Sequence, residues 1–316
     1  MKNKIITFII FILLSFSTAY GGGGTYIFPM LRIPAGASAS AIGNAGTAVS
    51  GAPIALSFNP AGLSGANNYQ LATTQSLWIE SMHYSNYMLA GPFLSGYLGL
   101  GFTRLSAGSI KRFDFEGLPV KGYYNPTDFA ISAGYAYDFG PLSLGLAVKY
   151  LSSEIAGHRA EAFATDSGLL LKTPLIDLGF SVQNLGSGAS YRKEIENLPL
   201  VYRGGISKKI TFNKISYLLA FDAEFPDNLA EKYGGGLRGE FALGQAVISL
   251  MGGLQSDTSG KGSLSALTWG FGLRDANIGF DYSASFFGDL GLAHKISVDY
   301  RFSSRSGSSL SKRGGI

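Results

Sequence analysis

From Tyr69 to Phe302 the chain alternates, a large apolar residue at one position and a small or polar one at the next. Leu142, Leu144, Leu146, Val148 and Tyr150 alternate with Ser143, Gly145, Ala147 and Lys149. Phe129, Ile131, Ala133, Tyr135 and Tyr137 alternate with Ala130, Ser132, Gly134, Ala136 and Asp138. The same dyad recurs through Ile215 to Asp222, Leu267 to Leu273, Ile278 to Tyr282 and Ile296 to Phe302. A period of two places successive side chains on opposite faces of a strand. Segments of about ten residues with one apolar face suit strands that cross a bilayer at a tilt.

Fourteen such segments are predicted, at 69–79, 82–91, 95–105, 126–138, 142–151, 160–172, 176–184, 200–210, 214–225, 231–241, 245–253, 265–273, 276–286 and 293–302. A soluble β-sandwich would alternate in the same way, so the connections have to decide. Those after the even-numbered segments are tight: Pro92-Phe93, Gly140-Pro141, Thr173-Pro174, Phe212-Asn213, Leu243-Gly244 and Arg274-Asp275. The longest, Ser106 to Asn125, Leu185 to Pro199 and Leu254 to Ser263, follow odd-numbered ones. Short turns on one rim and long loops on the other are the habit of an outer-membrane barrel, and a sandwich has no reason to sort loops by parity. The expected fold is therefore all-β: a 14-stranded antiparallel transmembrane β-barrel over residues 67–302.

Alternation also assigns faces. The large apolar side chains go to lipid, and Lys149, Asp166, Arg203, Asp222, Glu224, Arg238, Glu240, Asp281, Asp299 and Arg301 go to the lumen. Charges of both signs suit a solvated or filled interior, either as an ion-pair lattice stiffening the wall or as a selectivity filter.

Upstream, the dyad gives way. Ile33 to Leu63 reads IPAGASASAIGNAGTAVSGAPIALSFNPAGL, small or apolar throughout and without an ionisable side chain. Small residues let backbones approach closely, and Pro60 biases Asn59 away from the helical region. One or two short helical turns packed inside something, ended by a sharp turn, are expected. A flexible linker would carry more polar residues than Ile42, Val49, Ile54, Leu56 and Phe58 allow.

At the ends, residues 1–19 have the form of a secretory signal peptide: Lys2 and Lys4, an apolar run from Ile5 to Phe16, then Ser17-Thr18-Ala19. Residues 303–316 form a Ser/Gly-rich basic tail that is expected to be disordered. The last strand closes on Tyr300 and Phe302, the terminal aromatic that barrel-assembly machinery reads in such proteins.

Composition then removes chemistry. Only 15% of residues are charged, against about 25% in soluble domains. The formal charge of +4 comes from Lys2 and Lys4 in the leader and Arg305, Lys312 and Arg313 in the tail, so the body is near neutral and a nucleic-acid partner is excluded. With no Cys there is no disulfide, thiolate metal site or Cys nucleophile. The three His (His83, His158 and His294) lack metal-ligand spacing. His158 with Ser152, Ser153 and Glu154 belongs to no nucleophile motif, and the Gly21–Gly24 run to no phosphate loop. No catalytic residue, metal or cofactor is expected. Phe113, Phe115, Tyr123 and Tyr124 make one long loop aromatic, either packing on itself or forming a contact surface.

Four ordered stretches carry a family resemblance: the Gly/Ala run closed by Asn59-Pro60-Ala61-Gly62-Leu63; Asp166-Ser167-Gly168-Leu169-Leu170; Asn184-Leu185-Gly186 with Leu198-Pro199 and Arg203-Gly204-Gly205; and Leu290-Gly291 with His294-Lys295-Ile296-Ser297 and Tyr300-Arg301-Phe302. In these the chain resembles FadL-like outer-membrane proteins, and most closely the PorV/PorQ family. It departs where that family carries acidic residues ahead of Asn-Pro-Ala-Gly, having Gly51-Ala52-Pro53 instead. The resemblance implies an N-terminal plug, or hatch, over residues 20–66 inside the lumen, with Gly43, Gly46, Phe58, Asn59, Pro60, Ala61 and Gly62 as its gate. It implies an outer-membrane location, with membrane lipids and the barrel-assembly machinery as partners. For function it implies a component of protein secretion to the cell surface, of type IX kind, with secretion components or client proteins as partners. The other branch implies a conduit for long-chain fatty acids or other hydrophobic molecules.

Overall fold

The computed structural model describes residues 26–77, 82–114, 116–193, 195–213, 215–227, 229–256, 267–286 and 291–302. The signal peptide and the C-terminal tail read from sequence lie outside them. Sixteen strands are present among the described residues: β1 (Gln70–Leu77), β2 (His83–Phe93), β3 (Gly96–Ser106), β4 (Ile110–Phe113), β5 (Pro119–Tyr124), β6 (Thr127–Phe139), β7 (Leu142–Ile155), β8 (His158–Lys172), β9 (Asp177–Gly186), β10 (Val201–Phe212), β11 (Ile215–Pro226), β12 (Lys232–Leu243), β13 (Ala246–Gln255), β14 (Leu267–Asp275), β15 (Ile278–Phe286) and β16 (Leu292–Arg301). All but β4 and β5 form one closed barrel of antiparallel neighbours, sealed where Gln70–Leu77 pairs with His294–Arg301. Closure leaves the wall no free edge whose backbone groups would need water.

The fourteen predicted segments are the fourteen barrel strands. The expectation fails at two connections. The Ser106–Asn125 loop contains the β4–β5 hairpin, its two strands pairing only with each other. On the same rim β7 and β8 are joined by Ala156-Gly157 alone, so one connection there is tight. No helix among the described residues is long and apolar enough to cross a membrane.

The outer face is apolar, as its exposed Leu146, Phe163, Leu219 and Leu250 illustrate. On β2, β3, β6, β7 and β8 it carries a row of rings, Tyr87–Phe102–Phe129–Tyr150–Phe163, with successive centroids 6.3, 6.3, 6.1 and 5.4 Å apart. Near the short-turn rim Tyr137 meets Phe139 at 4.7 Å and Tyr300 meets Phe302 at 4.9 Å. Aromatic side chains at two levels with aliphatic ones between are how a barrel marks the two membrane interfaces. Leu146 lies between the levels and is 68% exposed. Leu146→Arg should therefore cost about 2–4 kcal/mol, read as a lower denaturation midpoint in lipid. An unchanged midpoint would mean that this face does not meet hydrocarbon.

Residues 26–66 form no strand. They make 3-10 turns at Pro29–Arg32, Pro53–Ser57 and Pro60–Leu63 and one short helix at Ala37–Ala41. Each 3-10 turn begins at a proline, which supplies the required φ and lacks the N–H that would go unbonded there. The helix is almost wholly buried, and its alanines let it lie close to β13, β14, β15 and β16. The turns at Pro53–Ser57 and Pro60–Leu63 contact β1, β2, β3, β6, β7 and β8. The segment thus touches wall strands from opposite parts of the ring, through the positions that alternation points inward.

Candidate functional site

Because residues 26–66 expose so few side chains, their backbone polar groups must find partners in the wall. Asp222, buried on β11, takes the largest share. Its carboxylate accepts from Gly46 N at 3.0 Å, Thr47 N at 2.9 Å and Thr47 Oγ1 at 2.6 Å. Ser207 Oγ donates to Ala48 O, Ser181 Oγ to Phe58 O, and Gln183 Nε2 to Ser57 O. Across the ring, Thr268 Oγ1 accepts from Gly43 N and donates to Ala41 O, and Ser297 Oγ accepts from Ala37 N. Lys295 Nζ donates to Pro34 O and Ser40 Oγ.

Asn59 holds the sharp turn. Its Oδ1 accepts from Ala61 N at 3.1 Å as the cap of Pro60–Leu63, while Nδ2 donates to Thr47 O at 2.9 Å and Leu169 O at 3.0 Å. The three bonds tie the turn to itself, to an earlier part of the segment and to the wall, which explains a fully buried amide at this position. The turn sits on Gly145 and Gly168, direct register partners on β7 and β8. A Cβ at Gly168 would overlap Asn59 Oδ1, and one at Gly145 would overlap Ala61 N. Gly43 has φ 72 and lies against the backbone of Gly235 and Leu254, so a side chain is excluded twice over. Gly46 lies flat on the Phe58 ring, and Gly62 against Ala55 and Val49 O.

The ten charges assigned to the lumen by alternation occupy inward register positions, in two groups. Arg203 donates through Nε to Gln183 at 2.9 Å, pairs with Glu224 at 2.5 Å, and stands 3.9 Å from Asp222. Its guanidinium also lies over the Phe58 ring, 5.4 Å from the centroid. Lys149 pairs with Asp166 at 2.6 Å and donates to Asn184 Oδ1 at 2.8 Å. The second group lies on β12 to β16: Arg238 pairs with Glu240 at 3.1 Å and donates to Ser38 Oγ, and Arg274 pairs with Asp299 at 2.6 Å. Asp281 and Arg301 share that inward face.

Sequence reasoning missed Thr47, Gln183, Lys172 and Lys295. The two lysines were findable, since both stand at inward register positions; Lys172 Nζ donates to Ser64 Oγ. Gln183 was findable too, in step with the inward Gly179 and Ser181; Asn184 was not, because a register shift opposite Thr165–Ser167 turns it inward beside Gln183 at φ 62. Asn184 then donates its N–H to Asp166 and its amide to Pro199 O.

His158 bonds Arg192, whereas Ser153 bonds Asp128 and the Tyr191 hydroxyl, so histidine and serine are not joined as base and nucleophile. Burial pushes the Tyr191 hydroxyl up from its ordinary pKa, keeping it a neutral hydrogen-bonding group. Among the described residues no group of three or more His, Asp or Glu is placed to hold a metal.

A cavity of about 60 Å³ lies between the segment and the wall, lined by the apolar Met30, Ile33, Leu56, Phe58 and Met88 and by the polar Lys149, Gln183 and Arg203. Both cations are already paired with wall carboxylates.

The architecture has known counterparts. The toluene transporter TodX of Pseudomonas putida superposes with a TM-score of 0.58 at 11% identity, over 90% of this chain and 99% of that one. The monoaromatic hydrocarbon channel CymD superposes with a TM-score of 0.61 at 12% identity, over 85% and 98%. The barrel fold is thus shared with these two channels. At such identity the likeness concerns fold alone. No protein-family model and no curated protein matches the sequence.

Proposed function

We propose that this protein is a non-enzymatic outer-membrane conduit for hydrophobic small molecules, with residues 20–66 as the plug that gates it. The observation that carries the reading is the half-apolar cavity between the N-terminal segment and the wall. The fold shared with the toluene transporter TodX and the monoaromatic hydrocarbon channel CymD supports it. A cavity of about 60 Å³ is well below the roughly 150 Å³ that accepts benzene in a protein core. Passage therefore needs the plug to move, and Gly43, Gly46, Phe58, Asn59, Pro60, Ala61 and Gly62 are the residues whose contacts must change. Outer-membrane lipids contact the apolar belt, and Tyr300 and Phe302 form the signal for the assembly machinery.

The PorV/PorQ reading, a secretion component, draws on the ordered motifs. Those residues have structural work in either case: Asp166, Asn184 and Pro199 bind one another, and Asn59 and Arg203 hold the plug turn. They do not select secretion over conduction. Uptake of labelled toluene or a long-chain fatty acid, by cells lacking their own route, tests the choice. Ser132 lines the cavity, and Ser132→Val should block uptake at least tenfold by filling it with a side chain of fitting size. Uptake unchanged in a folded Ser132→Val barrel would take the cavity off the route. Absent uptake with loss of surface proteins on deletion would favour secretion.

A further inference from the structure

The β4–β5 hairpin has no part in the cavity, the plug or the wall. It continues the β3–β6 ladder past the long-loop rim, through Ala107 N to Pro126 O at 3.1 Å, and then stands clear of the barrel. Nearly every residue of it is exposed on both faces, including Phe113 at 60% and Tyr123 at 64%. A two-stranded hairpin without a packed face is marginal in water, so this one is built to lie on something.

Three cations and the position of the hairpin indicate what that is. Lys111 and Tyr123 are register partners, and Lys121 lies two residues before Tyr123, in the irregular stretch opposite Arg112. Arg112 stands at the bulge between them. None of Lys111, Arg112 and Lys121 forms an ion pair among the described residues. Of the two acids nearby, Asp114 is occupied in its own turn, accepting from Glu116 N at 3.0 Å and Leu118 N at 2.8 Å; Glu116 is the other. Phe102 and Phe129 of the outer ring row lie on the two strands that carry the hairpin. The base at Ser106 is four residues beyond Phe102, roughly 10 Å above the ring row for a tilted strand. Gly108, at φ 73 with open space around it, leaves that base unpacked. The aromatic and basic hairpin thus rises from about the headgroup level of the long-loop leaflet.

We propose that the β4–β5 hairpin is a membrane-surface anchor that docks on the phosphate headgroups of the bilayer around the barrel. The cations meet lipid phosphate, and Phe113 and Tyr123 enter the interface beside them. The anchor is independent of what the barrel carries.

The absence of cysteine in the chain allows a clean test. A nitroxide on Tyr123→Cys in the full-length barrel reports whether the hairpin meets lipid or water. The barrel is reconstituted in phosphatidylcholine vesicles with or without phosphatidylglycerol. With phosphatidylglycerol the label should gain oxygen accessibility over that to a water-soluble relaxant, and lose the gain in high salt. Replacing Lys111, Arg112 and Lys121 by Gln should lower the docked-to-free ratio roughly fivefold per cation, with the barrel itself still folded. A label equally water-exposed in both vesicles overturns the proposal, as does lipid contact that ignores lipid charge. Reversal by dissolved inorganic phosphate would mean a free-ion site instead. Protection that appears only at high protein-to-lipid ratio would mean a second copy as the occupant.

Discussion

Asp222→Ala should release the plug and raise the ion conductance of the barrel in a planar bilayer by on the order of a hundredfold. Asp222 is the only side chain described that binds two successive plug N–H groups, at Gly46 and Thr47, and it takes the Thr47 hydroxyl as well. Removing the carboxylate leaves those buried donors without an acceptor, at about 1–3 kcal/mol each before water re-enters. A net loss near 3 kcal/mol is about two decades in the displaced population. Arg203 keeps its pairing to Glu224, so the wall itself retains its closest ion pair. Asp222→Asn retains one acceptor oxygen and should open less, and Thr47→Val, losing only the hydroxyl bond, less still. Equal conductance across the series, with the barrel folded, would mean that the plug is held elsewhere.

Much of the barrel was legible because lipid on one side and a filled lumen on the other enforce alternation at every strand. Lys149, Asp166, Arg203 and Asp222 were assigned inward on that ground alone. The partners of Asp222 were not legible, since nothing local to Phe221-Asp222-Ala223 refers to Gly46, 176 residues earlier. The hairpin escaped for the opposite reason. With both faces in the open, no burial pattern is imposed on Ile110–Phe113, and Lys111-Arg112 reads as loop. The register shift at Asn184 was hidden because a bulge inserts one residue without disturbing the apolar count on either side.

The glycines hold the other half of the information about how the N-terminal segment is seated. Read along the strands, Gly145 and Gly168 look like small members of a dyad, interchangeable with alanine or serine. Across the wall they are register partners beneath the Asn59–Ala61 turn, with no space for a methyl at either. Gly168→Leu must therefore displace that turn, breaking the Asn59 bonds to Thr47 O and Leu169 O together. At a net of about 1 kcal/mol per bond, plus a clash that a packed core resists at about 1–3 kcal/mol, the seat is lost. The expected result is a barrel that still migrates as folded but whose N-terminal segment is cleaved by added protease at least tenfold faster than in the native chain. Gly204→Leu supplies the comparison: Gly204 lies on the outward face of β10 with open space around it, and the same side chain there should leave cleavage unchanged. If Gly168→Leu fails to fold, Gly168→Ala, the smallest intrusion, should show a smaller acceleration in the same direction. Protection unchanged in both would mean that the Asn59 turn does not rest on this glycine pair.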